Sequence, residues 1–192
     1  MSLLKIVASA RSEGSLSRLI TDELVVALRP RAVITRDLAQ DGFPVMTAED
    51  LMAMFANTDD ARASLQSHLE TSALLIEELM AAETLVLGTP MYNFGVPVVV
   101  KQWIDYICRH GKTFQYTRTG PEGLTKLKQV FLVTASGGTQ IGGENDFASR
   151  YLEQVLRFIG AQNVQHIAVS GSKGRPEMVL ADARAQIKAL LQ

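Results

Sequence analysis

Five short apolar runs, each followed by a loop and then by a stretch of helical periodicity, constrain this chain more than any other feature. The runs are Leu3 to Ala8, Ala32 to Thr35, Thr84 to Gly88, Val130 to Thr134 and Val164 to Val169. Leu3 to Ala8, nearly continuous rather than alternating in hydrophobicity, has the pattern of a strand buried on both faces, as in a parallel sheet, and the other four read as further strands. Between them the spacing predicts a helix carrying Leu19, Ile20, Leu24, Ala27 and Leu28 and stopped by Pro30, then helices over Ala61–Ala82 and Val98–Arg109. Two more follow: Phe147–Ile159, ended by Gly160, and Glu177–Leu191, with Pro176 at its start. Such alternation implies an α/β fold, a doubly wound sheet of five parallel strands whose right-handed crossovers put helices on both faces. The 192 residues show no repeat, linker or low-complexity stretch, so a single domain over 1–192 is expected.

One segment departs from the alternation. From Asp37 to Asn57, the residues Phe43, Met46, Leu51, Met52, Met54 and Phe55 are too apolar for a simple solvent loop. It reads as a long excursion carrying a short helix. Either it packs over one end of the sheet, or it walls a substrate pocket or a dimer contact.

Composition narrows the function classes. Nineteen basic against twenty acidic residues leave a net charge of −1, which gives no footprint for nucleic acid or anionic lipid. No apolar stretch reaches the roughly 18 residues of a membrane span, and Met1 to Val7 lacks the plan of a signal peptide. The single cysteine, Cys108, is read as a small packing residue and points to a reducing compartment, the cytoplasm. His68, His110 and His166 lie far apart without metal-ligand spacing, and each is read as a surface or packing residue.

In an open parallel sheet, ligands sit beyond the C-terminal strand ends. Three loops at such ends are unusual. Ser9 to Ser17 has neither a dinucleotide fingerprint nor a nucleoside-triphosphate loop, but sets four hydroxyls before a helix whose N-terminus favours anions. It suits a phosphate monoester on Ser9, Ser15 and Ser17; alternatively Ser15 or Ser17 merely caps the helix. Thr89 to Pro97 carries Met91, Tyr92, Asn93 and Phe94 between prolines, which suits a flat heteroaromatic ring, or aromatics turned into the core. Ala135, Ser136, Gly137 and Gly138 allow close backbone approach to a ligand, or make a plain turn.

These stretches resemble the FMN-dependent NADH-azoreductases, flavodoxin-like homodimers also active on quinones. The likeness runs over nearly the whole chain. Its most specific parts are Pro90-Met91-Tyr92-Asn93-Phe94, Lys101-Gln102-Trp103-Ile104-Asp105, the hairpin pieces Thr113–Thr117 and Gly120–Leu124, and Phe158-Ile159-Gly160. The resemblance implies non-covalent FMN with its phosphate on Ser9, Ser15, Leu16 and Ser17. It implies the isoalloxazine along Met91 to Phe94 and its pyrimidine edge at Ala135 to Gly138. Tyr116 and Phe158 are expected in the flavin pocket of a partner subunit. Leu16 stands where a polar residue is common, and Ala135-Ser136 where Ser-Arg is sometimes found.

The expected activity is ping-pong transfer from NADH or NADPH through the flavin to azo compounds or quinones, with no side chain named as catalytic. Arg11, Lys112 and Arg118 are each candidates to meet a 2′-phosphate or to face solvent. Competing readings are a flavodoxin-type electron carrier, a redox sensor, or a related flavin reductase for chromate or nitroaromatics.

Overall fold

The computed structural model describes residues 1–56 and 65–192. In chain order the elements are β1 (Ser2–Val7), α1 (Leu16–Leu28), β2 (Ala32–Asp37), α2 (Leu38–Asp41), α3 (Ala48–Ala56), α4 (Gln66–Ala81) and β3 (Thr84–Pro90). They continue with α5 (Val98–Ile107), β4 (Phe114–Thr117), β5 (Gly120–Gly123), β6 (Gln129–Ala135), α6 (Ala148–Phe158), β7 (Asn163–Val169) and α7 (Pro176–Leu190). Strands β2-β1-β3-β6-β7, in that order, form a five-stranded parallel sheet, and β4 and β5 pair antiparallel as a separate hairpin. The chain leaves β1 toward β2 on one side and returns to β3 on the other, so the topological switch point lies between β1 and β3.

Side-chain alternation divides the strands between two cores. Leu3, Val86, Phe131, Val133, Ile167 and Val169 face α1 and α7, meeting Ile20, Leu24, Val179, Ala183 and Ile187. Leu4, Ile6, Leu85, Leu87, Val130 and Leu132 face the other way, with Leu75, Leu79, Trp103, Ile107, Leu152 and Leu156 from α4, α5 and α6. Helix α1 lies so close to β3 that a Cβ added at Gly88 would stand 2.1 Å from Thr21 Oγ1 and 3.2 Å from the Ser17 carbonyl oxygen. That contact seats the N-terminal half of α1 over the switch point.

The strands outrun their apolar runs because polar residues such as Gln129 and Asp37 extend the ladders and carry no hydrophobic signal. The 37–57 excursion holds two short helices rather than one. Asp37 caps α2 through the Ala39 N–H at 3.1 Å, Gly42 breaks the chain at φ 64°, and Thr47 and Asp50 exchange hydrogen bonds that start α3. Leu38 and Met54 are buried in the core, with Phe43 and Met46 packed against it, so this segment covers the sheet. The expected first residues of the long helix, from Ala61, lie outside the described residues, as does Asn57. Of the surface and packing readings of His68 the packing one holds: it is buried, 2.7 Å from the Tyr106 hydroxyl. Cys108 follows α5, and burial pushes its thiol up to about 11, assisted by Asp105. No helix of the described residues is long and apolar enough to cross a membrane.

Candidate active site

A cleft of about 530 Å³ opens at the C-terminal ends of β1, β3, β6 and β7. It is lined by Ser9, Ser15, Leu16 and Ser17, by Met91 and Tyr92, and by Ala135, Ser136 and Gly137. The structure thus brings together nine of the residues expected at the site. Asn93 and Phe94 form the tip of the adjoining turn, and Gly138 follows the lining residues.

The phosphate-type end is built on the start of α1. The N–H groups of Ser15, Leu16 and Ser17 have no acceptor among the described residues, as the first donors of a helix do not. Leu16 therefore offers the cleft a backbone donor, whatever its side chain. Ser15 caps the helix, accepting from the Arg18 N–H at 3.4 Å, and its Oγ lies 3.2 Å from Ser17 Oγ. Capping and anion binding are compatible roles here, because a hydroxyl that accepts still has a proton to give. The Ser9 hydroxyl accepts from the Arg11 N–H at 3.2 Å, and both Ser9 and Ser17 are buried.

Behind this loop stands Arg18, which the sequence reading passed over. Its guanidinium grips both oxygens of Asp37, at 2.5 and 2.9 Å, and donates to the Ser9 carbonyl at 2.6 Å. The hydrogen bond to Asp37 raises the Arg18 pKa against the opposing effect of burial. Burial pushes the Asp37 carboxyl up, but Arg18 and the N–H of Ala39 outweigh it, and the carboxyl titrates below its ordinary range.

The aromatic wall is a two-residue hairpin. Tyr92 and Gly95 exchange N–H to carbonyl bonds, both 3.0 Å, across Asn93 and Phe94, whose φ angles are 49° and 69°. Two positive φ values make a turn of type I′, which Asn accepts readily and Phe only at a cost of about 1–3 kcal/mol. The strain has a visible effect: the Tyr92 and Phe94 side chains stay exposed, while Met91 is buried beside the cleft. The Met91 N–H reaches the Ala135 carbonyl at 2.7 Å, and the Phe147 N–H reaches the Phe94 carbonyl at 3.1 Å, so β6 and α6 both hold the turn.

The third wall presents donors. Carbonyls of Ala135, Ser136 and Gly137 are taken up by the N–H groups of Met91, Ser172 and Lys173. The N–H groups of Gly137 and Gly138 have no acceptor among the described residues, so this edge is built to meet negative charge. Farther along the loop, Asp146 is fully buried and accepts from the N–H groups of Gly142, Ala148 and Ser149 at 2.7, 3.0 and 2.9 Å and from the Ser149 hydroxyl. Burial pushes its carboxyl up, but these donors prevail and hold its pKa below the ordinary value.

Ser172 and Lys173 also line the cleft, and so does Arg11. The first two were missed although the Gly171–Gly174 stretch follows a strand end like the other three loops. Tyr116 and Phe158 lie elsewhere. Phe158 packs on Phe114 with ring centroids 4.5 Å apart, and Tyr116 is 68% exposed on the hairpin beside His110. Within one chain neither touches the cleft. Among the described residues no group of three or more His, Cys, Asp or Glu side chains could hold a metal ion.

A family model described as a flavodoxin-like fold matches residues 1–191. The chain is 43% identical over 191 residues to FMN-dependent NADH:quinone oxidoreductase 1 of Hahella chejuensis, covering 97% of this chain and 93% of the relative. A protein of the same name from Jannaschia sp. is 42% identical over 188 residues, covering 98% and 97%. Among solved structures, an FMN-dependent NADH-azoreductase from Bacillus anthracis in complex with FMN superposes with a TM-score of 0.83. That match covers 100% of this chain and 98% of the other at 22% identity, and shows the shared fold. The chain belongs to the flavodoxin-like family of FMN-dependent NADH:quinone oxidoreductases.

Proposed function

We propose that this protein binds FMN in the cleft at the ends of β1, β3, β6 and β7 and uses NADH to reduce quinones or azo compounds. The observation that carries this reading is the convergence of three chemically different loops on one cleft. The donors of Ser15, Leu16 and Ser17 suit a phosphate dianion, Met91 and Tyr92 border a flat ring, and Gly137 and Gly138 offer N–H groups to its electronegative edge. The cleft volume of about 530 Å³ falls in the range of cofactor pockets.

Bound FMN would supply hydride acceptance from the nicotinamide and two-electron delivery to the acceptor. This chain's residues hold, orient and shield. Ser9, Ser15 and Ser17 anchor the phosphate and Met91 to Phe94 fix the ring plane. The Gly137 and Gly138 N–H groups stabilise added negative charge at the ring edge, as pre-aimed donors do in a water-poor site. With one side of the cleft walled by Met91 and Tyr92, nicotinamide and acceptor must each approach to about 3–3.5 Å from the other. They take turns there, which is ping-pong kinetics.

Two finer points accompany this reading. A homodimer is proposed in which Tyr116 and Phe158 complete the pocket of the partner subunit, since neither meets the cleft of its own chain. The single cysteine, held as a thiol by burial, fits a reducing compartment such as the cytoplasm. The net charge of −1 sets the chain apart from the strongly acidic electron carriers that dock partners through charge.

The test is mass spectrometry of cofactor released by denaturation, with NADH-dependent benzoquinone reduction by the loaded protein. Release of FMN together with turnover supports the reading. Recovery of FAD, no uptake of FMN, or a loaded protein that does not oxidise NADH refutes it.

A further inference from the structure

We propose that Arg18 is a positioning residue that shapes the Ser9–Ser17 loop for the phosphate of the flavin without being a phosphate ligand itself; this rests on the reading of the cleft as an FMN site. Arg18 lies in the first turn of α1, where the helix dipole disfavours a cation and where no acidic side chain stands. An arginine placed there against the dipole needs a compensating partner. Asp37, at the end of the neighbouring strand β2, supplies it through two hydrogen bonds of 2.5 and 2.9 Å, one on each carboxylate oxygen.

The pairing decides what Arg18 can do. Both terminal nitrogens are engaged with protein atoms, one on each oxygen of Asp37 and one of them also on Ser9, while Nε is buried without a hydrogen-bond partner among the described residues and is closed off from the cleft. The Arg18 charge is matched by Asp37 at contact, so it adds little attraction for a distant dianion. What it does provide is fixation. The 2.6 Å bond from its Nη2 to the Ser9 carbonyl ties the residue after Ala8 to helix α1 and, through Asp37, to the start of α2. A carbonyl oxygen held by a guanidinium is kept from turning its lone pairs toward an arriving anion. On the other side of Ser9, the hydroxyl accepts from the Arg11 N–H at 3.2 Å, and the Ala8 N–H is held by the Gly88 carbonyl at 3.0 Å. Ser9 is thus held at its carbonyl and at its hydroxyl, with Ala8 before it tied to β3, and Arg18 is the one hold that reaches from the helix whose N-terminus would meet the phosphate.

The geometry also separates arginine from lysine. A guanidinium can serve two carboxylate oxygens and a carbonyl in one plane, whereas an ammonium is a point donor that cannot reproduce the fork. Arg18 makes its hydrogen bonds to Asp37 and the Ser9 carbonyl and none to Met91, Tyr92 or Gly137, with only a minor electrostatic interaction with Tyr92, so its loss should be felt far more by the phosphate than by the ring.

The experiment compares FMN with riboflavin, which has the same ring and no phosphate. Full-length protein stripped of flavin is titrated with each by fluorescence, for the wild type and for Arg18→Ala and Arg18→Lys. Arg18→Ala is expected to raise the FMN Kd at least tenfold while the riboflavin Kd stays within about twofold, so that discrimination for the phosphate collapses. Arg18→Lys is expected to lose FMN affinity severalfold, again sparing riboflavin, and it carries the test if Arg18→Ala does not fold. Equal weakening of both flavins would mean a general structural role and would overturn the proposal, as would wild-type FMN affinity in the folded variants. A wild type that takes up neither flavin would instead overturn the reading of the cleft, and the proposal with it.

Discussion

Ser17→Ala is the substitution that best separates binding from folding at this site. The Ser17 side chain is 1% exposed, and its one hydrogen-bond partner among the described residues is Ser15 Oγ at 3.2 Å, long for an O–H···O bond. Removing so weak a contact should cost the folded chain no more than about 0.5–1 kcal/mol. Toward a phosphate dianion the same hydroxyl is a charge-assisted donor, and its loss should cost about 1.5–3 kcal/mol. At about 1.4 kcal/mol per factor of ten, the FMN Kd should rise at least tenfold and up to about a hundredfold or more. Ser15→Ala should weaken FMN comparably but also destabilise the protein by about 0.5–2 kcal/mol, because its Oγ caps α1 through the Arg18 N–H at 3.4 Å. Flavin-fluorescence titrations paired with urea melts of the flavin-free variants measure both quantities. A folded Ser15→Ala, Ser17→Ala double variant with unchanged FMN affinity would move the phosphate site away from this loop.

Four further outcomes are expected. Gly88→Ala should cost about 1–3 kcal/mol in a thermal or urea melt, since its Cβ would meet Thr21 Oγ1 at 2.1 Å and must push α1 off β3; an unchanged Tm would show that contact to be slack. Asp146→Ala should cost about 3 kcal/mol at neutral pH by orphaning buried donors. The Asp146 carboxyl titrates below its ordinary 3.8, so its contribution is fully present above that value and is lost as pH falls through the lower folded one. The gap between wild type and variant in urea melts should therefore close only below about pH 4, and a gap that closes near pH 6 would assign it to another group. Varying NADH at several fixed quinone concentrations should give parallel double-reciprocal lines; intersecting lines would mean that both substrates bind at once. Sedimentation should show a dimer at micromolar concentration, and a fully active monomer would remove Tyr116 and Phe158 from the pocket.

The inner strands were legible because burial on both faces leaves continuous apolar runs, and Leu85, Val86 and Leu87 are buried without exception, whereas β2 at the sheet edge is exposed from Ala32 to Thr35 although its run is apolar. The polar ends of the strands were not legible, since Gln129 and Asp37 join the ladder through backbone bonds that any residue can make. The two helices of the excursion were merged into one because each is short, and the break between them rests on Gly42 and on caps by Asp37 and Thr47, which periodicity does not see. For a related reason the sequence left His68 open between surface and packing. Its place on the inner face of α4 depends on a partner, Tyr106, that lies 38 residues away in sequence. Residue type brought out the serines, the aromatic turn and the glycines of the cleft. Arg18 and Asp37 gave no such signal, because an arginine and an aspartate 19 residues apart mean little until the fold sets α1 beside the end of β2.

The local costs in this molecule gather at one end of the sheet, and that clustering is itself an argument about the cleft. Phe94 sits at φ 69°, Arg18 occupies a helix start that repels cations, and the N–H groups of Ser15 to Ser17 and of Gly137 and Gly138 await acceptors. The strained turn and the cation at a helix start each weaken the isolated chain, and the free N–H groups, common to every helix start, here gather around the same cleft. A sequence consistent with its fold at every level would not carry them together. A single negatively charged, flat ligand accounts for all of them at once. In the proposed site the phosphate would take the helix donors that Arg18 is proposed to arrange, the ring would take the wall that the strained turn holds open, and the paired glycines would meet the ring's electron-rich edge. On this view the flavin-free protein should gain most of its local order in these loops when FMN binds, so amide exchange should slow at residues 9–17, 91–95 and 136–138 and change little in β1, β3 or β6.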